Sequence, residues 1–341
     1  MIKKQNLKKN TNQNLNNSMK DQTSSWDKDN QAWWDWYVSL ADNSNTRKDL
    51  IKLPVLQKVK LLSKIKLKQE LSKPYNLTKI NINSFKKNGF IKLKNVLTPG
   101  AVQVLRNEIL SLLKKTFANH LKSNKKNRFL SLEMMWLENN LIKEFVFSSR
   151  ITKICAELLG VNAIRLYHDN ALVKESGCGR TPWHYDDHHF PLATNHVITA
   201  WIPAQAIPIE MGPLTFAKPI EVYKLVKDIE FNEYNTSYDK EITNIFKNKK
   251  VSIVEEPFAL GEVSFHHNLN FHTAPENNTT QSRIVLANTY FADGARVVDN
   301  PGMISGDWKK FIPETKPNEI VSSNLNPICW PVNHKNYFNK N

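Results

Sequence analysis

Between Gly160 and Ala295 the chain alternates short apolar runs with turn residues, and no other feature restricts its fold as strongly. The runs cover residues 163–173, 197–202, 214–217, 251–254, 262–265 and 284–291. Short apolar runs bounded by turn residues at this spacing read as antiparallel strands packed as a sandwich. The fold class expected is mainly β with flanking helices, built on a double-stranded β-helix (jelly roll) core. The polar stretch 220–250 interrupts the series and reads as a surface insertion with a helical turn or two.

Upstream, the periodicity becomes helical. Residues 1–24 are mostly Asn, Lys, Gln and Ser, bury little and are expected to be disordered. An aromatic segment follows with Trp33, Trp34, Trp36 and Tyr37, and Ser25 can cap a helix there. Packing on the main domain is the expected use of these aromatics, with a lid or a dimer contact as the sharper alternative. Apolar residues at 55, 56, 59, 62, 65 and 67 predict an amphipathic helix. A short strand after Gly89 precedes a helix capped by Thr98 with Pro99 in its first turn. Residues 137–159 read as two short helices ended by Gly160. From Pro301 onward the chain is rich in Pro and Asn and is expected to wrap the surface without adding an element. The organisation expected is a polar N-terminus (1–24), an aromatic-rich and amphipathic helical extension (25–82), a jelly-roll domain (83–300) with the insertion 220–250, and a wrapping tail (301–341).

Charge and cysteine content narrow the function classes. The formal net charge is +15, yet only eight of 47 basic residues are Arg, and the Lys residues are spread throughout. Phosphate and base-edge readers favour Arg forks, so no nucleic-acid partner is expected. Attraction to an anionic substrate stays open. Cys155, Cys178 and Cys329 form no CxxC pair, which argues against a disulfide framework or a thiolate zinc site and for a cytoplasmic setting. No run of 18 apolar residues predicts a membrane span, and no secretory h-region opens the chain.

The chemistry concentrates in Thr181-Pro-Trp-His-Tyr-Asp186. On a strand, residues i and i+2 share a face, so His184 and Asp186 can offer an imidazole and a carboxylate to one point. One further His would complete a 2-His-1-carboxylate triad, which leaves metal positions open for a co-substrate and oxygen. His266, His267 and His272 all compete for that role, and spacing alone does not choose between them. Arg283 then opens an apolar strand. A cation there is costly unless paired, and either a dicarboxylate ligand or an ordinary salt bridge would pair it.

These residues, in this order, resemble the phytanoyl-CoA dioxygenase family of iron(II)/2-oxoglutarate oxygenases. The resemblance runs from about Asn83 to Trp330. It includes the Asn88–Val96 strand, the Tyr167–Lys174 segment, the Trp183-His-Tyr-Asp186 box, Met211-Gly-Pro-Leu214, the Gly261–His272 segment and the Tyr290–Arg296 segment. It implies that His184, Asp186 and His272 bind Fe(2+) and that Arg283 clamps the far carboxylate of 2-oxoglutarate. It also implies that Asn170, Lys174 and Trp201 line the co-substrate pocket. Ala274 stands where some members carry a Ser that contacts the co-substrate. Related halogenases lack the carboxylate ligand, so Asp186 disfavours halogenation.

The activity implied is a dioxygenase that hydroxylates a small molecule with O2, releasing succinate and CO2. Trp183, Tyr185 and His188 follow or flank the ligands and are candidates to face substrate, as are His189, Phe190, Arg180 and Gln205. The competing reading is a non-catalytic jelly-roll protein that holds a metal or ligand on the same residues. Arg283 discriminates, because a structural metal needs no carboxylate clamp.

Overall fold

A computed structural model describes residues 30–44, 49–54, 59–122, 127–301 and 308–331. The expected disordered N-terminus and the Ser25 cap lie outside these residues, as do positions 55 and 56 of the expected amphipathic helix. No helix among the described residues is long and apolar enough to cross a membrane.

Besides the five-residue helix Ala118–Lys122, seven α-helices among the described residues frame the molecule: α1 (Asn30–Ser39), α2 (Lys64–Ser72), α3 (Lys79–Asn88), α4 (Pro99–Thr116), α5 (Asn140–Val146), α6 (Ser149–Leu159) and α7 (Ser237–Asn248). Their ends follow local chemistry. Thr98 accepts from Ala101 N at 3.3 Å to cap α4, and Gly160 ends α6 in the left-handed conformation that its missing side chain permits.

Eleven strands among the described residues form two antiparallel sheets. The major sheet runs β1 (Phe90–Leu93), β8 (Val263–His267), β5 (Val197–Pro203), β10 (Arg283–Ala292), β3 (Ile164–Lys174) and β11 (Ile328–Trp330), with β2 (Phe129–Glu133) also on β3. The minor sheet runs β4 (Thr181–His184), β9 (His272–Ala274), β6 (Thr215–Lys218) and β7 (Ser252–Val254).

The two sheets face each other, and the alternation of side chains decides what lies between them. On β10, Val285 and Ala287 pack with Trp201, Phe216 and Ala274 in the space between the sheets. Their neighbours Ile284, Leu286 and Tyr290 pack on the other face against the helices, with Val102, Leu105, Ile142 and Ile154. Because β10 is buried on both faces, it reads in sequence as an apolar run interrupted only by Asn288 and Thr289 after the opening Arg283.

Three expectations need correction. The amphipathic helix starts only at Lys64, capped by Ser63, because Leu62 packs into the helical core from a non-helical segment and Ile65 is exposed. The insertion holds a full twelve-residue helix, α7, whose Tyr238, Ile242 and Phe246 are buried. The tail does add an element: β11 pairs with Ile164 and Arg165 of β3. Strand β2 covers β3 only from Asn170 to Lys174, so the other end of β3 would be an open edge without β11.

Candidate metal centre

Strands β4 and β9 pair so that His184 and His272 stand directly opposite each other. Opposed residues of an antiparallel pair share a face, and the two imidazole rings lie 4.1 Å apart. Asp186 begins the turn that follows β4. Its Oδ1 lies 3.8 Å from His184 Nε2 and 3.6 Å from His272 Nε2. One ligand atom from each of the three residues falls within 4.8 Å of the others, the spacing of a set that could hold one metal ion.

The tautomers suit such a role. His184 Nδ1 donates to Pro182 O at 2.8 Å, and His272 Nδ1 donates to Asn270 O at 3.0 Å. Each bond leaves the Nε2 lone pair facing the cluster and fixes the ring. The charge states suit it as well. Burial, reinforced by the neighbouring imidazole of His272, pushes His184 down to about 3. Burial pushes His272 down to about 4. Burial alone would raise Asp186, but His272, His266 and His184 around it hold its carboxyl well below the usual range. Two neutral imidazoles and one carboxylate are the protonation states that a divalent cation needs.

The three competing histidines are thus separated by the fold. His272 joins the cluster. His267 sits at the end of β8 and accepts from Leu269 N through its Nδ1. His266 faces the cluster from the major sheet, and its Nε2 lies 3.3 Å from Asp186 Oδ2.

His184, Asp186 and His272 line a cavity of about 140 Å³ between the sheets, and Arg283 lines it too. Arg283 is 1% exposed, and no carboxylate comes within ion-pair distance among the described residues. It donates from an NH group to Gly212 O at 2.6 Å, lies over the Trp201 ring at 5.3 Å, and keeps an Nε without a hydrogen-bond partner. Burial lowers it to about 10, so it stays a cation at neutral pH. A buried guanidinium with spare donors is matched by an anionic ligand. Gly212 serves this arrangement through its backbone. Its φ is +71°, and a Cβ there would meet Pro275 O at 2.3 Å.

The other expected site residues divide. Asn170 and Trp201 line the cavity, and Asn170 Oδ1 accepts from Ser131 Oγ at 2.7 Å. Ala274 lines it also. Lys174 does not. Its ammonium is spent on three carbonyls, Gly179 O at 2.9 Å and Ala274 O and Pro275 O at 2.7 Å each. Trp183 and Tyr185 are not placed to face a substrate. They flank His184 on a strand and therefore point to the opposite face, where they pack with Phe246 and Phe271 of the α7 side. His188 is exposed and its ring lies against Tyr185, tilted by 57° with centroids 4.2 Å apart. Arg180 pairs with the buried Asp239 at 3.0 Å, and Gln205 accepts from Arg106. His189 and Phe190 do line the cavity.

Several lining residues escaped sequence reasoning. Trp33, Trp34 and Tyr37 of α1 form part of the wall, so the aromatic segment both packs on the domain and shapes the site. Tyr37 meets the His184 ring edge-on at 5.8 Å. Tyr167, His168 and Phe311 come from β3 and the tail. The aromatic cluster in the sequence was the signal for α1. Nothing in the tail marked Phe311.

The sequence profile described as Phytanoyl-CoA dioxygenase (PhyH) matches residues 85–285. No curated protein sequence matches the chain. Among solved structures, the non-heme alpha-ketoglutarate-dependent carbocyclase SnoK from nogalamycin biosynthesis is similar at 20% identity and a TM-score of 0.59, covering 75% of this chain and 99% of that one. The epimerase SnoN, in complex with Fe3+, alpha-ketoglutarate and nogalamycin RO, is similar at 19% identity and a TM-score of 0.55, covering 73% of this chain and 97% of that one. EctD from S. alaskensis, with 2-oxoglutarate and 5-hydroxyectoine, is similar at 13% identity and a TM-score of 0.57, covering 81% and 95%. At these identities the likenesses establish a shared fold.

Proposed function

The chain belongs to the phytanoyl-CoA dioxygenase family, and we propose that it hydroxylates a small organic substrate with iron(II) and 2-oxoglutarate. One observation carries this reading. The His184, Asp186 and His272 donor set and the buried, unpaired Arg283 line the same cavity. A structural metal site has no use for a buried cation beside it, and a dicarboxylate co-substrate has use for both.

When bound, iron(II) and 2-oxoglutarate supply oxygen activation coupled to decarboxylation. The balance is substrate C–H plus O2 plus 2-oxoglutarate giving substrate C–OH, succinate and CO2. His184, Asp186 and His272 would hold the metal on one face. Arg283 would pair with the distal carboxylate, oriented by Gly212 O and the Trp201 face. The aromatic wall from α1 would shield the reacting atoms from water. Relatives of similar fold include a carbocyclase and an epimerase as well as EctD. Asp186 would supply the carboxylate ligand that related halogenases lack, which favours hydroxylation over halogenation. The three described cysteines are free and buried, in keeping with a cytoplasmic setting.

The test is anaerobic iron(II) titration, then 2-oxoglutarate titration, then succinate release when oxygen is admitted with a substrate panel. Failure to bind iron, or unchanged binding in both His184→Ala and His272→Ala, would overturn the assignment.

A further inference from the structure

The insertion 220–250 is tied to the metal centre by one buried carboxylate. Asp239, on α7, is 0% exposed. A buried charge is held only where donors meet it, so this carboxylate and its partners fix one another in place. Asp239 Oδ1 accepts from Trp183 N at 2.8 Å, immediately before the metal-cluster residue His184. Asp239 Oδ2 accepts from Asp42 N at 2.8 Å, just past the end of α1. It also accepts from Arg180 Nη1 at 3.0 Å.

Arg180 carries the connection to the second histidine. Its Nη2 donates to Thr273 Oγ1 at 3.4 Å, beside His272. Thr273 Oγ1 in turn donates to Thr181 O at 2.6 Å, which joins β9 to β4. Arg180 N donates to Asn43 Oδ1 at 2.9 Å, a second tie to the segment after α1. One carboxylate therefore braces both strands that present the metal histidines, together with the exit of the helix that walls their cavity.

Other parts of the insertion repeat this connection. Trp36 Nε1 of α1 donates to Glu233 O at 2.9 Å. Phe231 packs both with Trp33, Tyr37 and Leu40 and with the cluster that holds Trp183, Tyr238 and Phe246. Trp33 and Tyr37 line the cavity, and the Tyr37 ring meets His184.

We infer that Asp239 is a positioning residue, which sets the placement of His184 and His272 and latches the α1 wall beside them. The insertion thereby governs metal affinity, although it supplies no ligand. The inference rests on the metal-centre reading of the cluster.

Asp239→Asn tests it. The amide keeps an acceptor for Trp183 N and turns a donor toward Asp42 N and Arg180. Co(II) is titrated into the full chain without oxygen, at a temperature where circular dichroism shows each variant fully folded. Asp239→Asn is expected to bind Co(II) about tenfold more weakly, the lower end of what orienting contacts around metal ligands contribute. Its Co(II) visible bands should shift. Amide hydrogen exchange of the metal-free chain should speed about tenfold in residues 30–44 and 181–184 while α4 and α6 keep their protection. Glu241→Gln, on the exposed side of α7, should match the wild type in all three. If Asp239→Asn does not fold, Arg180→Gln carries the same test, since it leaves the carboxylate its two backbone donors and removes the bridge to Thr273. A role in stability alone would leave the Co(II) affinity and bands of the folded variant unchanged, or raise exchange evenly along the chain, and either result would overturn the inference. Failure of the wild type to bind Co(II) would instead overturn the metal-centre reading, and the exchange measurement would still score the latch.

Discussion

His266 Nε2 lies 3.3 Å from Asp186 Oδ2, while Asp186 Oδ1 faces the Nε2 atoms of His184 and His272. The two oxygens of one carboxylate are thereby divided between a supporting histidine on the major sheet and the metal cluster on the minor sheet. Thr199 Oγ1 adds a contact to Oδ2 at 3.4 Å. An orienting hydrogen bond of this kind typically governs metal affinity by 10- to 100-fold. Replacing His266 with Leu is expected to weaken iron(II) binding by about tenfold, and His266→Gln, which keeps a donor, to recover most of it. Wild-type affinity in His266→Leu, measured by anaerobic titration, would show that Oδ2 needs no support.

Arg283 separates co-substrate binding from metal binding. Arg283→Met removes the buried cation and fills most of its volume. The expected result is a loss of 2-oxoglutarate affinity of roughly 30-fold or more, since hydrogen bonds to charged groups contribute about 1.5–3 kcal/mol each. Iron(II) should bind as in the wild type when 2-oxoglutarate is absent. A parallel loss of iron would mean that Arg283 shapes the metal site instead.

Lys174 makes the opposite prediction. Its ammonium joins β3 to the Gly179 loop and the end of β9 through three carbonyl acceptors. Lys174→Met leaves Pro275 O without its donor, and Ala274 O and Gly179 O with only the long contacts from Thr181 Oγ1 and Cys178 Sγ, and should destabilise the fold by about 2 kcal/mol or more in denaturant titrations. The folded fraction should bind 2-oxoglutarate normally. A selective loss of 2-oxoglutarate affinity without loss of stability would return Lys174 to the pocket.

Asp169 gives the fold a pH dependence. Burial pushes its carboxyl up to about 7, against the opposing effect of the Trp136 and Met135 backbone N–H groups. The folded value lies above the unfolded one of about 3.9, so the unfolded state loses its proton first as pH rises. Stability from this residue is therefore fully present below pH ~4 and is lost progressively up to about pH 7. Asp169→Asn should remove that slope, so thermal midpoints of wild type and variant should diverge between pH 4 and 7 in favour of the variant. Parallel curves would place the Asp169 titration elsewhere.

Most of the major sheet was legible because its central strands are buried on two faces and so appear as mainly apolar runs. His184 and Asp186 were legible because i and i+2 spacing on a strand is a local property. His272 was not, since its choice over His266 and His267 depends on β4 pairing with β9, a contact across 88 residues of chain (272 minus 184). The resemblance supplied what spacing could not. Trp183 and Tyr185 were misread because nearness in sequence to a ligand was taken for nearness in space, when strand alternation turns them away. Lys174 was misread for a subtler reason. It pairs in register with Arg283 in the sheet, but the carbonyls it meets lie on segments whose paths no local pattern reveals.

The cavity is walled by Trp33 and Tyr37 from near the start of the described chain and by Phe311 from near its end. A ribosome makes the first two long before the last. The metal ligands can therefore come together on a nascent chain while one side of their chamber is still open to solvent. Shielded chemistry must wait until Phe311 has been made, and a chain cut short after β10 would carry the donor set without its closing wall.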